Sequence, residues 1–170
     1  MTIIRPGYSR KAAHGTAAAL LGILLVAGGV RAQGTVPFAP LAGTWSGNGT
    51  IELTTAREPI KCRASYDVLE DRSNLQLNIR CASDSYNFDL RGSATYSAGA
   101  VSGNWSESTR NAAGTISGKA EGDRIQVVAK GPAFTAELTL VTRGDKQSVL
   151  IKSQDKDSSI RSATITLQRG

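Results

Sequence analysis

The sequence predicts an all-β protein, a single antiparallel up-and-down β-barrel of about 8–10 strands with an N-terminal signal peptide. Three observations predict this fold. Apolar and polar residues alternate over most of the chain, which is typical of strands that bury one face. Clusters of Gly, Asp, Asn and Ser separate the alternating runs at roughly the spacing of short antiparallel strands. No convincing helical pattern occurs after residue 33.

Segment 1–32 has the three-part composition of a secretory signal peptide. Basic residues precede an apolar run at 17–27, and small residues lie near Ala32, as such signals require. The apolar run is shorter than the ~20 residues that a membrane-spanning helix needs. We therefore expect cleavage between Ala32 and Gln33 rather than a stable membrane anchor, and an exported protein that is periplasmic or secreted.

Cleavage would remove several kinds of chemistry. His14 is the only histidine and Met1 the only methionine, so the mature chain would lack both. Four of the 20 basic residues lie in segment 1–32, which leaves 16 basic and 14 acidic residues beyond it. These charges are interspersed, whereas nucleic-acid binding needs clustered cations. The sequence therefore argues against imidazole catalysis, a histidine metal site and a nucleic-acid partner.

The mature chain is organised as a short arm and one domain. Residues 33–40 contain two prolines, which predicts an extended N-terminal arm because proline fixes φ and lacks an amide donor. Residues 41–170 have the size of one ordinary domain, which we assign to the barrel. Each predicted strand is a run of alternating polarity that ends at turn residues: 43–53, 61–69, 74–82, 86–96, 100–109, 113–121, 124–130, 133–142, 147–153 and 161–169.

The second and third predicted strands form a hairpin whose register the pattern determines. Each strand has one apolar and one polar face, and a slip of one residue would turn the apolar set outward. The register that keeps both apolar faces together pairs Val68 with Leu75 and Cys62 with Cys81. Directly opposed residues lie at a Cα separation that a disulfide spans. In an oxidising compartment we expect a structural Cys62–Cys81 disulfide; the alternative, a redox-active pair, usually has Cys-x-x-Cys spacing.

Residues 41–45 read Leu-Ala-Gly-Thr-Trp and open the first strand. This Gly-x-Trp start of a β-meander resembles the calycins, which include lipocalins, avidins and small periplasmic barrel inhibitors of bacterial metalloproteases. The resemblance implies that the tryptophan closes one barrel end and that an arginine from a late strand packs over it. The corresponding residues here are Gly43, Trp45 and Arg169. A lipocalin Thr-Asp-Tyr segment is missing, so that family's ligands are not implied. As a whole the chain also looks like exported proteins common in α-proteobacteria, which implies no function.

Several aromatic residues share the parity of the apolar faces and would point into the barrel. They either line a ligand cavity or fill the core, since side chains alone can nearly fill a barrel of about eight strands. Small residues in the second half of the chain leave a cavity possible. The candidate ligand-lining residues are Trp45, Tyr66, Tyr86, Phe88 and Trp105.

The sequence offers no recognisable catalytic set. Carboxylates such as Glu107 and Glu137 are predicted mostly on polar strand faces or in turns, where the paired-acid chemistry of glycosidases is not expected. We therefore predict no catalytic residues, no metal site, no cofactor and no enzyme activity. Two functions stay open: a non-catalytic exported barrel that binds a small apolar or amphipathic ligand, and a protein-binding module or inhibitor of a secreted hydrolase whose arm at 33–40 enters a cleft.

Overall fold

The computed structural model describes residues 36–132 and 134–170. A short 3₁₀ helix (Ala39–Leu41) precedes ten strands within this part of the chain. All lie close to the predicted runs; the largest difference is at β2, which begins at Arg57 rather than at residue 61. The strands are β1 Gly43–Leu53, β2 Arg57–Val68, β3 Asn74–Ala82, β4 Asn87–Ser97, β5 Ala100–Glu107, β6 Ala112–Glu121, β7 Arg124–Gly131, β8 Phe134–Arg143, β9 Lys146–Ser153 and β10 Ile160–Arg169.

The strands form one closed antiparallel barrel. Each strand pairs with its neighbours in the chain, and β1 pairs with β10 to close the sheet. Closure gives every strand two partners and leaves no exposed edge in the sheet. The predicted all-β up-and-down barrel is therefore confirmed, with the strand number at the upper limit of the prediction.

The hairpin of β2 and β3 has the register that the sequence pattern predicts. Val68 is opposite Leu75, and Cys62 is opposite Cys81. The Cα atoms of the two cysteines are 4.1 Å apart and their sulfur atoms are bonded. Because both cysteines share the apolar face of the hairpin, the disulfide lies on the inner side of the barrel.

Close contact between β1 and β10 depends on glycine. A Cβ atom at Gly47 would lie 2.0 Å from the backbone carbonyl oxygen of Thr166 on β10. A larger residue would therefore require the backbone of β1 or β10 to move. Glycine in a strand interior commonly marks such a close backbone approach.

The segment before β1 differs from the extended arm that we predict for residues 33–40. Within its described part the chain turns and enters the 3₁₀ helix Ala39–Leu41, with the amide of Leu41 donating to the carbonyl of Phe38 (2.9 Å). Phe38 and Leu41 are each only 1% exposed. The reason is the hydrophobic effect, since burying these side chains is more favourable than leaving them on a solvated arm.

Segment 1–32, with the expected cleavage position between Ala32 and Gln33, lies outside the described residues. In the part of the chain that is described, no helix is long and apolar enough to cross a membrane.

Candidate functional site in the barrel interior

The two ends of the barrel are built differently. We call residues 38–42 the plug segment and the end where β1 begins the plugged end; the opposite end is the mouth. The 3₁₀ helix of the plug segment contacts both β2 and β8, which lie on different sides of the barrel with β1, β10 and β9 between them. The chain therefore crosses the plugged end before it enters β1.

Trp45 fixes the plug segment to the barrel. Its indole Nε1 donates to the backbone carbonyl of Leu41 (2.7 Å), and the residue is 1% exposed. The Arg169 guanidinium lies 4.3 Å from the centre of the Trp45 ring and donates to two backbone carbonyls of the plug segment. Gly43, with φ +109°, lies beside Arg169. The structure thus brings Gly43, Trp45 and Arg169 together at one barrel end.

Tyr66 also belongs to the filled part of the barrel. Its hydroxyl donates to Gln147 Oε1 (3.0 Å), and Gln147 Nε2 donates to Thr142 Oγ1 (3.2 Å). All three residues are buried, and burial raises the pKa of the Tyr66 phenol well above its usual range. Trp45 and Tyr66, two of the five candidate lining residues, therefore make packed, hydrogen-bonded contacts near the plugged end.

The middle of the barrel has a wall of inward-facing aliphatic side chains that are not fully covered. Their strand register points them to the interior, yet they are only half-buried. Other inward-facing residues are buried both toward the plugged end, such as Leu75 and Leu167, and toward the mouth, such as Ile51. On β4, β5 and β6 the inner face carries glycines that lie close to a neighbouring backbone; a Cβ atom at Gly103, for example, would lie 2.0 Å from the carbonyl oxygen of Ser93. We call the half-buried set the inner wall: Leu77, Ile79, Val127, Leu138, Leu140, Val149 and Ile151.

Aromatic rings gather at the mouth. Tyr86 and Phe88 have ring centres 5.4 Å apart, and Trp105 and Phe134 form an edge-to-face pair at 6.2 Å. The Tyr86 hydroxyl is 2.6 Å from the hydroxyl of Ser159 in the loop between β9 and β10. The remaining three candidate lining residues, Tyr86, Phe88 and Trp105, thus lie at the mouth rather than beside Trp45 and Tyr66.

Trp105 differs from Trp45 in its hydrogen bonding. It is 7% exposed, and its buried indole Nε1 has no partner among the described residues. A Cβ atom on Gly114 of β6 would lie 2.8 Å from that nitrogen, so the glycine makes room for the indole. Trp105 therefore places a buried, unsatisfied hydrogen-bond donor on the inner side of the barrel.

A cation stands over the aromatic rings at the mouth. Arg110, in the loop between β5 and β6, has its guanidinium carbon 4.4 Å from the centre of the Tyr86 ring and 5.1 Å from that of Phe88. These are cation–π distances. Arg110 is a functional candidate that the sequence analysis missed, because a loop residue has no strand parity that would direct attention to it.

Glu107 is buried, which corrects the prediction that it lies on a polar face or in a solvated turn. It is 6% exposed and accepts hydrogen bonds from the backbone amides of Asp89 (3.0 Å), Thr109 (3.1 Å) and Arg110 (2.9 Å). Burial alone would raise the pKa of the carboxyl, but these hydrogen bonds outweigh it and hold the pKa below its usual value. The signal was present in the sequence, since Glu107 shares the inward parity of Trp105.

Because the pKa of Glu107 is lowered, we expect the unfolding free energy of the protein to fall at acidic pH. A carboxyl with a depressed pKa in the folded state stabilises the fold above its unfolded-state pKa, and this contribution is lost as the pH falls through the folded-state pKa. Glu107→Gln should therefore reduce the slope of unfolding free energy against pH below about pH 4.5, by up to about 1.4 kcal/mol per pH unit. Urea denaturation between about pH 2.5 and 7 measures it.

The matched control is Glu121→Gln, which removes one negative charge at the exposed end of β6. An equal reduction of the slope in both variants would contradict a specific role for the Glu107 hydrogen bonds.

Comparison with known proteins places the fold. No protein-family model and no curated protein matches this sequence significantly. The structure is similar to that of Rv2717c from M. tuberculosis, with a TM-score of 0.63 and 14% sequence identity over 78% of this chain and 94% of that chain. It is also similar to the S-type phycobiliprotein lyase CPES from Guillardia theta, with a TM-score of 0.57 and 12% identity over 78% of this chain and 90% of that one. These similarities show a shared fold, which in this chain is a closed ten-stranded antiparallel barrel.

Proposed function

We propose that this protein is an exported, non-catalytic barrel that binds a small apolar or amphipathic molecule in its interior. The single observation that carries the proposal is the inner wall, whose aliphatic side chains face inward and are only half-buried. A ligand that covered this surface would gain about 25 cal/mol for each Å² of apolar area removed from water.

The difference between the two barrel ends supports one route for the ligand. The plug segment crosses one end, and its Phe38 and Leu41 are fully buried. At the mouth, Tyr86, Phe88 and Phe134 are only half-buried. Ligand pockets are commonly lined by apolar and aromatic side chains with few polar groups. We therefore propose that the ligand enters through the mouth.

The non-catalytic part of the proposal rests on the side chains rather than on the fold. One similar structure is by name a lyase, so the fold is compatible with an enzyme. The buried carboxylates near the mouth, however, are held by structural hydrogen bonds: Glu58 accepts from the amide and hydroxyl of Ser85, and Glu107 from three backbone amides. Neither resembles an acid with a raised pKa that is ready to donate a proton.

Export is supported by the disulfide. Disulfides form and persist mainly in oxidising compartments, and Cys62 and Cys81 are bonded. The alternative function, an inhibitor that inserts a free arm into a hydrolase, loses its motivation in the described part of that arm. Phe38 and Leu41, the large apolar residues that would enter a cleft, are packed into the barrel instead.

A filling substitution tests the proposed interior site. Val127 and Val128 are adjacent on β7 and both half-buried, but Val127 faces inward, opposite Leu138, and Val128 faces outward, opposite Glu137. Titration with the neutral fluorescent dye Nile red should show micromolar binding by the unchanged protein and by Val128→Trp. In Val127→Trp the indole would occupy the space beside the inner wall, so we expect binding to weaken at least tenfold, which is about 1.4 kcal/mol.

Stability measurements on the same pair complete the test. If the interior has room, Val127→Trp should unfold at nearly the same urea concentration as Val128→Trp. Overpacking a filled core typically costs about 1–3 kcal/mol. Destabilisation of that size in Val127→Trp alone, or the absence of saturable dye binding to the unchanged protein, would refute the interior site.

A further inference from the structure

We propose that the ligand carries a single carboxylate head group and that Arg110 at the mouth binds it. This inference rests on the proposed interior site and specifies the chemical class of its ligand: a monoanionic amphipathic molecule whose apolar tail lies along the inner wall.

The position of Arg110 is the first step of the argument. Its guanidinium lies over Tyr86 and Phe88, so the cation is next to the rings at the mouth. The side chain is 42% exposed, which leaves it accessible to a ligand. A molecule with its tail in the barrel would bring its polar end to this level.

The hydrogen-bonding capacity of Arg110 is the second step. Its guanidinium hydrogen bonds within the described residues all run through Nη1, to Asn87, Thr109 and Glu107. Nε and Nη2 have no acceptor in that part of the chain. This edge of a guanidinium presents two parallel N–H groups, which match the two oxygens of a carboxylate.

Glu107 does not occupy the Nε and Nη2 edge of the Arg110 guanidinium. Its closest approach to the guanidinium is 3.5 Å, through Nη1, and its carboxylate already accepts hydrogen bonds from three backbone amides and from the Thr109 hydroxyl. The pair is therefore a weak ion pair, and the cation keeps the capacity to attract a second anion. Because the ionised Glu107 carboxylate lies beside the guanidinium, the net positive charge there is small, which favours a singly charged carboxylate over a doubly charged phosphate monoester.

Competition against bound Nile red tests the head group separately from the interior site. Dodecanoate, dodecan-1-ol and dodecyl phosphate share one tail, kept below their aggregation concentrations. We expect dodecanoate to displace the dye about tenfold more effectively than dodecan-1-ol, since hydrogen bonds to charged groups contribute about that factor. Added salt should weaken dodecanoate and leave dodecan-1-ol unchanged.

Substitutions of Arg110 test whether this residue causes the preference for dodecanoate. Arg110→Gln should lose the tenfold preference, measured in that variant as the ratio of the dodecanoate and dodecan-1-ol competition constants. Arg110→Lys should recover only part of it because lysine lacks the planar fork. Arg124→Gln, an exposed arginine at the plugged end, is the matched control and should keep the preference.

The outcomes distinguish the two proposals. Dye binding without any preference for dodecanoate, or a preference that survives Arg110→Gln, would overturn the head-group assignment and leave the interior site standing. Tighter binding of dodecyl phosphate than of dodecanoate would overturn the choice of a carboxylate. Failure of the unchanged protein to bind Nile red would overturn both.

Discussion

Replacing Trp45 with alanine is expected to destabilise the barrel by about 3–5 kcal/mol, the usual cost of removing a large aromatic side chain from a core. Trp45 is 1% exposed, so its removal would leave a cavity at the plugged end. The same change would leave the Leu41 carbonyl without its donor and the Arg169 guanidinium without the ring beneath it. Urea denaturation followed by far-ultraviolet circular dichroism measures the effect.

Phenylalanine substitutions at Trp45 and Trp105 separate the contribution of the Trp45–Leu41 hydrogen bond from that of side-chain packing. Trp45→Phe keeps an aromatic ring but leaves the buried Leu41 carbonyl unsatisfied, which should cost about 1–3 kcal/mol beyond the loss of volume. Trp105→Phe removes a buried donor that has no partner among the described residues, so only the loss of volume should be felt. Equal destabilisation by the two phenylalanine variants would contradict the anchoring role of the Trp45 indole nitrogen.

The sequence predicts most of this barrel because its signal is local and periodic. Alternation of polarity locates strands within a few residues, and two apolar faces in one hairpin fix the pairing of Val68 with Leu75 and of Cys62 with Cys81. A shift of one residue would expose every apolar side chain of the hairpin. The sheet closes into a barrel because each strand has one apolar face to bury and consecutive strands pair as a meander.

The features that the sequence did not predict depend on contacts between distant segments. The segment before β1 contains two prolines, Pro37 and Pro40, and looks like an arm. Phe38 and Leu41, however, pack on a surface that exists only after β2 and β8 are in place. Arg110 comes to lie over Tyr86 because two loops end at the same rim of the barrel. Whether inward side chains fill the interior depends on their summed volume around the whole barrel, which no single strand reveals.

The five candidate lining residues illustrate this division. The alternation of the sequence groups them as one set, but the position along the barrel axis separates them. Trp45 and Tyr66 pack near the plugged end, whereas Tyr86, Phe88 and Trp105 lie at the mouth. Only the strand order and register of the closed barrel distinguish the two groups.

Removal of the disulfide, by the double substitution of Cys62 and Cys81 with alanine, is expected to lower the unfolding free energy by about 3 kcal/mol. The two cysteines are separated by 19 positions in the sequence, and a crosslink that closes a loop of this length restricts the unfolded chain by about that amount in the chain-entropy model. Denaturation of the double variant and of the unchanged protein, each with and without reductant, measures the loss.

The native fold should nevertheless survive without the disulfide. The apolar faces of β2 and β3 set the register through pairs such as Ala64 with Ile79 and Tyr66 with Leu77, and these contacts do not require the bond. Reductant should destabilise the unchanged protein and leave the double variant unaffected, which separates loss of the crosslink from a general effect of the reagent. A double variant that does not fold would show that the disulfide, rather than the apolar pattern, determines the pairing of this hairpin. A double variant as stable as the unchanged protein would show that the bond does not restrict the unfolded chain.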